Sequence, residues 1–575
     1  MMRLLRELKV YRASIATVIL LIFLQSMANL YLPHLMQQIV DVGVLHGDTG
    51  YILNMGAWML VVSIAGGICS ILASYFAAKV AMHFGKDLRF RVFSKVESFT
   101  VHEFSKIGTA SLITRTTNDI RQVSLLINMM LRMMVMAPLT AIGGIVMAIV
   151  TDASMTWIIV IVLPILGFVI YLVLRQATKL FSVMQVKIDT LNRVLRERLM
   201  GIRVIRAFDR VRYESDRFTK ANKDLTDTSI AVNRLLASMF PLVMLIVNLS
   251  TVMIIWFGGL KISEQQMPIG SLMAFIQYIM QILFSVLMLS MMSFMIPRAS
   301  ASATRIVEVL DTDTQVTDSP SAQTHFPSIS KINFDHVSFS FSQASQPALQ
   351  DVSFEVNRGE VIAIIGGTGS GKSTLLNLLM RFMDVNTGSI LLDGVDLRQI
   401  KQTTLRRMMG YVPQKAVLFS GTIADNIRFG QEEATIDQVR KALDIAQASE
   451  FVDAMTEQEN AVITQGGTNV SGGQKQRLSI ARALVRKPSV YLFDDSFSAL
   501  DYQTDAKLRS ALRREIDDAI VFIVAQRVAT IRDADRIIVL DDGTVQGIGT
   551  HHDLMQSCKA YQEIVASQLS KEESA

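Results

Sequence analysis

Val361-Ile362-Ala363-Ile364-Ile365-Gly366-Gly367-Thr368-Gly369-Ser370-Gly371-Lys372-Ser373 is an apolar, strand-like run that breaks into glycines, and Thr374–Met380 then continues it as a helical run. Strand, glycine-rich turn and helix start together form the context that a phosphate-binding loop requires. Glycine lets backbone N–H groups approach phosphate oxygens, and the helix N-terminus adds partial positive charge. Lys372 is placed to reach β- and γ-phosphates, and the Ser373 hydroxyl to ligate Mg²⁺. Gly367, Thr368, Gly369, Ser370, Gly371, Lys372, Ser373 and Thr374 are therefore the candidate nucleotide-binding residues, and the surrounding domain is expected to be α/β.

A second apolar strand, Val490-Tyr491-Leu492-Phe493, ends in Asp494, whose carboxylate suits the Mg²⁺ shell at the strand's carboxyl edge. Some twenty residues earlier stands Val470-Ser471-Gly472-Gly473-Gln474-Lys475-Gln476-Arg477, where a serine and two glycines open another helix. One chain thus carries two phosphate-gripping helix ends. ATP held in one phosphate loop does not need the second, so Ser471, Gly472, Gly473 and Gln474 read as a grip on the γ-phosphate of ATP held by a partner.

Outward from this domain the composition changes. Half of the 575 residues are apolar and 19% are Asp, Glu, Lys or Arg, below the ~25% of ordinary globular chains. Residues 1–300 hold 29 Lys+Arg against 16 Asp+Glu, a balance of +13, and the remainder holds 27 against 35, a balance of −8. The basic charges of the first half fall between long apolar runs, which points to a lipid headgroup surface rather than nucleic acid. Six runs, about 15–33, 52–78, 125–150, 155–174, 235–260 and 268–296, can each cross ~30 Å of hydrocarbon as a helix. The loops 79–121 and 175–234 carry eight and fourteen Lys/Arg, whereas 37–54 and 151–154 carry none. The positive-inside rule puts both long loops, the N-terminus and the second half in the cytoplasm.

Those loops are rich in helix formers, so spans two to five are expected to continue into the cytosol, with tips around His102–Ala110 and Phe208–Asp216 as contact points for the second half. In the sixth span Gln277, Gln281, Phe284 and Met288 share a helical face. That face suits a substrate pathway and equally suits interhelical hydrogen bonding. Arg132 reads as a snorkelling side chain. Of 32 methionines, 26 precede residue 300, which fits either a repacking surface for varied apolar ligands or bilayer-facing filler. Cys69 and Cys558 suggest neither a disulfide framework nor a metal site. The expected division is a membrane domain at 1–305, a polar linker at 306–330 and a nucleotide-binding domain at 331–575.

The phosphate loop, the Ser471–Gln474 signature and the six preceding spans together resemble the ABC transporter superfamily over essentially the whole chain. In that resemblance Phe341 stands where an aromatic stacks on adenine. Gln414, in Tyr411-Val412-Pro413-Gln414, stands where a loop senses Mg²⁺ and the γ-phosphate. Asp501, in Ser498-Ala499-Leu500-Asp501, matches the dimer-interface loop. The implied architecture is an all-α polytopic membrane domain with six transmembrane helices followed by an α/β P-loop nucleotide-binding domain, the form of an exporter half-transporter. The implied cofactors are ATP and Mg²⁺, with Ser373, Gln414 and Asp494 around the metal. The implied assembly is a dimer sandwiching two ATP molecules.

The signature is nearly regular, with Val470 for the family's usual Leu and the Ser-Gly-Gly-Gln core intact, but two catalytic positions depart from the pattern. The family places Glu after the Mg²⁺ Asp, and this chain has Asp495, shorter by one methylene or roughly 1.5 Å. A displacement of ~1 Å can cost ~100-fold in rate. The family's switch histidine is replaced by Gln526, which donates a hydrogen bond but cannot become cationic. Together the changes resemble the degenerate-site subunit of heterodimeric bacterial multidrug exporters. They imply a partner half-transporter with a complete catalytic site, amphipathic or drug-like substrates, and a multi-pass location in the cell's inner (plasma) membrane. A homodimeric lipid or peptide exporter, and an ATP-gated channel or regulatory subunit, are the competing readings.

Overall fold

The computed structural model describes residues 1–292, 295–341 and 344–572, and the chain forms two compact units. The first unit comprises Met1–Glu97 and Gly108–Thr312, and the second Ser98–Ile107 and Asp313–Ala575.

The first unit is helical. Its long helical stretches are α1 (Met2–Val44), α2 (Thr49–Glu97), α3 (Thr109–Thr151), α4 (Ala153–Met200), α5 (Val211–Ser263) and α6 (Ile269–Met292), followed by α7 (Met295–Asp311). Among the described residues six helices are long and apolar enough to cross a membrane. At 1.5 Å per residue, the 53 residues of α5 span about 80 Å, far more than a hydrocarbon core needs. Between 11% and 33% of each apolar window is buried within the chain, leaving the rest to face lipid or another subunit. Pro33, Pro138, Pro164 and Pro241 lie inside helices, as is tolerated where neighbouring helices satisfy the freed carbonyls.

Polar contacts knit the bundle at both ends of the apolar windows. Asp41 accepts from Gly270 N at 2.6 Å, and Gln37 Nε2 donates to Ser271 Oγ at 2.8 Å, joining α1 to the start of α6. Lys261 of α5 pairs with Asp152. Near the other end α3 makes a π-turn at Arg115–Asp119. There buried Asp119 accepts from Arg305 Nε at 2.8 Å and from Ser302 Oγ at 2.9 Å, and Arg115 Nη1 donates to Glu308 at 2.8 Å. An extra residue in the turn rotates the side chains that follow it, so α3 presents Asp119 to α7 and a different polar set to its opposite side.

Among the described residues the second unit has two large sheets and a two-stranded pairing of Gly421–Thr422 with Val462–Ile463. A four-stranded antiparallel sheet has the order β2-β1-β4-β5, from β1 (Lys331–Phe339), β2 (Leu349–Asn357), β4 (Thr387–Leu392) and β5 (Val395–Asp396). A six-stranded sheet has the order β10-β9-β3-β8-β7-β6, from β3 (Val361–Gly366), β6 (Met409–Val412), β7 (Val490–Asp494), β8 (Ile520–Val524), β9 (Arg536–Asp541) and β10 (Thr544–Gly549). All of its pairings are parallel except β9 with β10. Strands buried on both faces read as continuous apolar runs, which is why Val361–Ile365 and Val490–Phe493 were legible without alternation. Alternate residues of β3 enter different cores, with Ile362 and Ile364 on one side and Ala363 and Ile365 on the other.

The stretch expected to be a linker is more ordered than its polar composition suggests. Helix α7 runs to Asp311, six residues past the expected boundary at 305. Beyond it, Gln323 bridges to Ile400, and the nearly buried Arg381 binds Asp318 at 3.2 Å and Thr317 O at 3.0 Å. A guanidinium with 3% of its side chain exposed needs these acceptors, so Thr317 and Asp318 are fixed to the second unit.

Candidate functional site

Parallel register brings the candidate residues to one edge. Val524 of β8 pairs with Asp494 of β7 and with Ile364 of β3, and Phe493 pairs with Val412 of β6. The chain leaves four neighbouring strands at the same carboxyl edge, so Gly366–Ser373, Gln414, Asp494, Asp495 and Gln526 converge there, the usual ligand crevice of an open α/β sheet.

The phosphate loop is held open by its glycines. Gly369 and Gly371 have φ of 88° and 95°, and a Cβ on Gly371 would stand 2.5 Å from Ala348 O. The helix α8 (Lys372–Leu379) begins directly behind it. Lys372 Nζ donates to Gly366 O at 2.9 Å, Gly367 O at 2.6 Å and Ser370 Oγ at 3.3 Å, so its ammonium lies across the cradle that phosphate oxygens would take. Burial lowers its pKa, against the pull of Asp495 and Asp494. Thr374 follows on the first turn of α8.

Ser373 Oγ donates to Asp494 Oδ1 at 2.9 Å. Burial, opposed by the Ser373 hydrogen bond and reinforced by the Asp495 charge, raises the Asp494 pKa. Burial and the same carboxylate push the Tyr411 phenol up to about 12. A serine hydroxyl and a carboxylate this close form an oxygen pair suited to a hard divalent cation.

Asp495 adopts φ of 47°, and its N–H donates to Val524 O at 2.9 Å, tying it to the end of β8. Its Oδ2 accepts from Gln526 Nε2 at 2.9 Å and from Gln414 Nε2 at 3.1 Å. The sequence singled out all three residues, and the structure joins them through one oxygen.

Two further glutamines support this group: Gln568, which no motif announced, and Gln476, which stands in the signature stretch without a role assigned to it there. Gln568 of α11 (Lys559–Glu572) donates to Gln526 O at 2.7 Å and accepts from Val528 N at 2.8 Å, clasping the segment after β8. Gln476 is 3% exposed and its amide reaches Pro413 O at 3.4 Å, linking the signature helix to the residue before Gln414. Only tertiary proximity marks Gln568, and only it gives Gln476 a role.

The signature opens α9 (Gly472–Leu484). Gln474 N donates to Ser471 Oγ at 3.3 Å, and Ser471 N donates to Gln474 Oε1 at 2.9 Å, a reciprocal cap. Ser471 and Gly472 are exposed, so this helix end is open to an external anion. A Cβ on Gly473 would stand 3.1 Å from Ala499 O, which places the signature beside the Ser498–Asp501 loop. Asp501 caps α10 (Tyr502–Glu515) by accepting from Thr504 N at 2.9 Å, and that hydrogen bond holds its carboxyl below the usual range. Phe341 is 45% exposed and stands edge-on to Phe339 at 5.0 Å between centroids, leaving a ring face free for stacking.

In α6, Gln277 and Phe284 are exposed, while Gln281 and Met288 are half-buried. Gln281 Nε2 donates to Asn29 O at 3.2 Å, and its Oε1 is buried without a partner among the described residues. These four residues lie on the less buried side of a helix whose other side packs Phe275, Tyr278, Ile279 and Ile282. Arg132 is exposed within a second π-turn of α3, Met130–Met134. At the expected tips, Glu103 accepts from Gln315 N at 3.2 Å, and Phe208 is 74% exposed.

Residues 15–286 match the family described as ABC transporter transmembrane region, and residues 349–498 match the family described as ABC transporter. The chain is 42% identical to an uncharacterised ABC transporter ATP-binding protein of Mycobacterium tuberculosis over 98% of this chain and 97% of that one. It is 30% identical to a putative multidrug export ATP-binding/permease protein of Bacillus subtilis, over 99% of each. It is 27% identical to an ATP-dependent lipid A-core flippase of Vibrio vulnificus, over 97% of this chain and 95% of that one. A solved bacterial Atm1-family ABC exporter with ATP bound superposes with a TM-score of 0.81 at 25% identity, covering 97% of this chain and 99% of that chain.

Proposed function

The chain belongs to the ABC transporter family as an ATP-hydrolysing exporter half, one membrane unit fused to one ATPase unit, and from that premise we propose that it is the degenerate-site subunit of a heterodimeric exporter. Its own phosphate loop retains ATP and turns it over slowly. Its Ser471–Gln474 helix end serves the catalytic site of a partner half-transporter. The termini face the cytoplasm and the spans lie in the inner membrane.

The observation that carries this reading is the double hold on Asp495 Oδ2. A carboxylate that orients an attacking water must be able to turn toward it, and here two amides pin Oδ2 and with it the orientation of the whole group. The shorter Asp side chain retracts the group further, and Gln526 supplies no positive charge to the leaving phosphate. Binding functions are complete by contrast: the loop backbone and Lys372 cradle phosphates, and Phe341 offers a ring face to the base. Mg²⁺, when bound, would neutralise phosphate charge, and Ser373, Asp494 and Gln414 are the residues that would hold it.

The relative named for multidrug export supports amphipathic, drug-like substrates, and the relative named as a flippase keeps lipid as a second substrate class. The α6 face of Gln277, Gln281, Phe284 and Met288 is the proposed pathway lining. Gln281 is its strongest element, because a buried carbonyl oxygen without a partner is costly unless a ligand donor satisfies it.

The test is Asp495→Glu combined with Gln526→His in the assembled transporter. Turnover is expected to rise by at least tenfold (~1.4 kcal/mol of barrier), provided the partner's signature is intact. An equal rise with that signature disrupted would show that the sites are assigned to the wrong chains.

A further inference from the structure

A cavity of about 380 Å³ in the first unit is lined by Met82 and Arg89 of α2 and by Thr117, Asn118, Arg121 and Ser124 of α3. Met82 and Arg89 lie two helical turns apart on one face, and Thr117, Arg121 and Ser124 follow the i, i+4, i+7 spacing. Two guanidiniums, a side-chain amide and two hydroxyls therefore face one space.

Among the described residues neither Arg89 nor Arg121 has a carboxylate or hydrogen-bond partner. The acids nearest to them in sequence are engaged elsewhere. Asp87 accepts from the Tyr11 hydroxyl at 2.5 Å, and buried Asp119 is taken by Arg305 and Ser302. Among the described residues no acid lines the cavity. Other arginines of this unit do find acids: Arg91 pairs with Glu7 at 2.5 Å and Arg115 with Glu308 at 2.8 Å.

Gly85 keeps the space open. A Cβ there would stand 2.6 Å from Ser124 Oγ, with Arg89 Nη2 at 3.8 Å. The cavity also sits where the apolar windows end, since Met82 lies just past the second expected span and Ser124 just before the third. An occupant can thus place a charged group between the arginines and an apolar part against Met82 and the bilayer.

We propose that this cavity binds a phosphate group, carried by an anionic amphiphile of the adjoining leaflet. Guanidinium forks match phosphate oxygens in geometry and charge, and Asn118, Thr117 and Ser124 supply neutral hydrogen-bonding groups around them. The site lies on the α2–α3 side, separate from the α6 face, and does not depend on whether the chain's own ATP site hydrolyses.

The test measures binding to the full chain in neutral detergent by calorimetry, with dioctanoyl phosphatidic acid, dioctanoyl phosphatidylcholine and inorganic phosphate as probes. Phosphatidic acid is expected to bind at least about tenfold more tightly than phosphatidylcholine, and R89Q/R121Q to lose at least about tenfold in phosphatidic acid affinity. R193Q/R196Q removes the same charge elsewhere and should leave binding unchanged. Gly85→Val fills the cradle with both arginines retained and should weaken binding too. ATP binding in every variant reports that the chain is folded. Inorganic phosphate that fails to compete at millimolar concentration supports the amphiphile, whereas equal competition overturns it in favour of a soluble phosphate at the same arginines. Unchanged phosphatidic acid binding in both R89Q/R121Q and Gly85→Val overturns the site.

Discussion

Gln526 Nε2 donates to Asp495 Oδ2 at 2.9 Å across the carboxyl ends of two paired strands. The register of Val524 with Asp494 makes this contact possible, and the Asp495 N–H to Val524 O bond fixes its geometry. The two catalytic-site departures from the family's sequence pattern are therefore a single structural unit. An amide at 526 donates this hydrogen bond without a titrating group of its own, unlike an imidazole.

The clasp by Gln568 should be measurable without any turnover assay. Gln568→Ala removes an acceptor from Val528 N and a donor from Gln526 O, contacts worth ~1–2 kcal/mol together. Hydrogen exchange at the Val528 amide is expected to accelerate by about tenfold in the nucleotide-free protein. Unchanged exchange would show that the C-terminal helix does not position the switch segment.

Asp494 carries a pH signature. Burial raises its pKa above the unfolded value, so the folded state holds the proton more tightly and the associated stability is lost as pH rises through the folded pKa. Asp494→Asn is therefore expected to raise the unfolding temperature of the nucleotide-free protein near pH 7.5 by about 2–4 °C. The gain should shrink as pH falls into the carboxylate range. In Mg²⁺-ATP the order should reverse, because the variant lacks the negative charge that a carboxylate ligand brings to the cation. A variant less stable than the parent at pH 7.5 without nucleotide would contradict the buried-charge account.

The signature should act on the other site. Ser471→Arg places a bulky cation at an exposed helix start without touching the phosphate loop of its own chain. Turnover of the assembled transporter is expected to drop by ~100-fold or more, while ATP retained at this chain's Lys372 persists. Loss of retained ATP with turnover preserved would reverse the assignment.

How much of this was legible in the sequence follows from how local each signal is. Lys372, Ser373 and the Asp494 strand end were readable because a phosphate loop and a doubly buried strand are written in consecutive residues. The six spans were readable because lipid leaves a helix little alternative. The joining of Gln414 and Gln526 at one oxygen of Asp495 was not, since it depends on strand order across 112 residues of chain. Gln568 carries no motif, and the contact of Gln476 with Pro413 cannot be read from the signature stretch that contains it. The open charge of Arg89 and Arg121 is visible only once Asp87 and Asp119 are seen turned to Tyr11 and Arg305. Residues 306–330 read only as a polar linker because polar residues that bind a buried arginine look, in sequence, like solvated ones.

The most direct measurement is the oligomeric state and Mg²⁺-ATPase activity of this chain purified alone in lipid, with bound nucleotide quantified. The account predicts a chain that binds ATP near stoichiometrically and hydrolyses it slowly, below the ~1 s⁻¹ low end of ordinary enzyme turnover. A stable homodimer with substantial turnover would contradict it, making Asp495 and Gln526 a competent pair and the chain a homodimeric exporter.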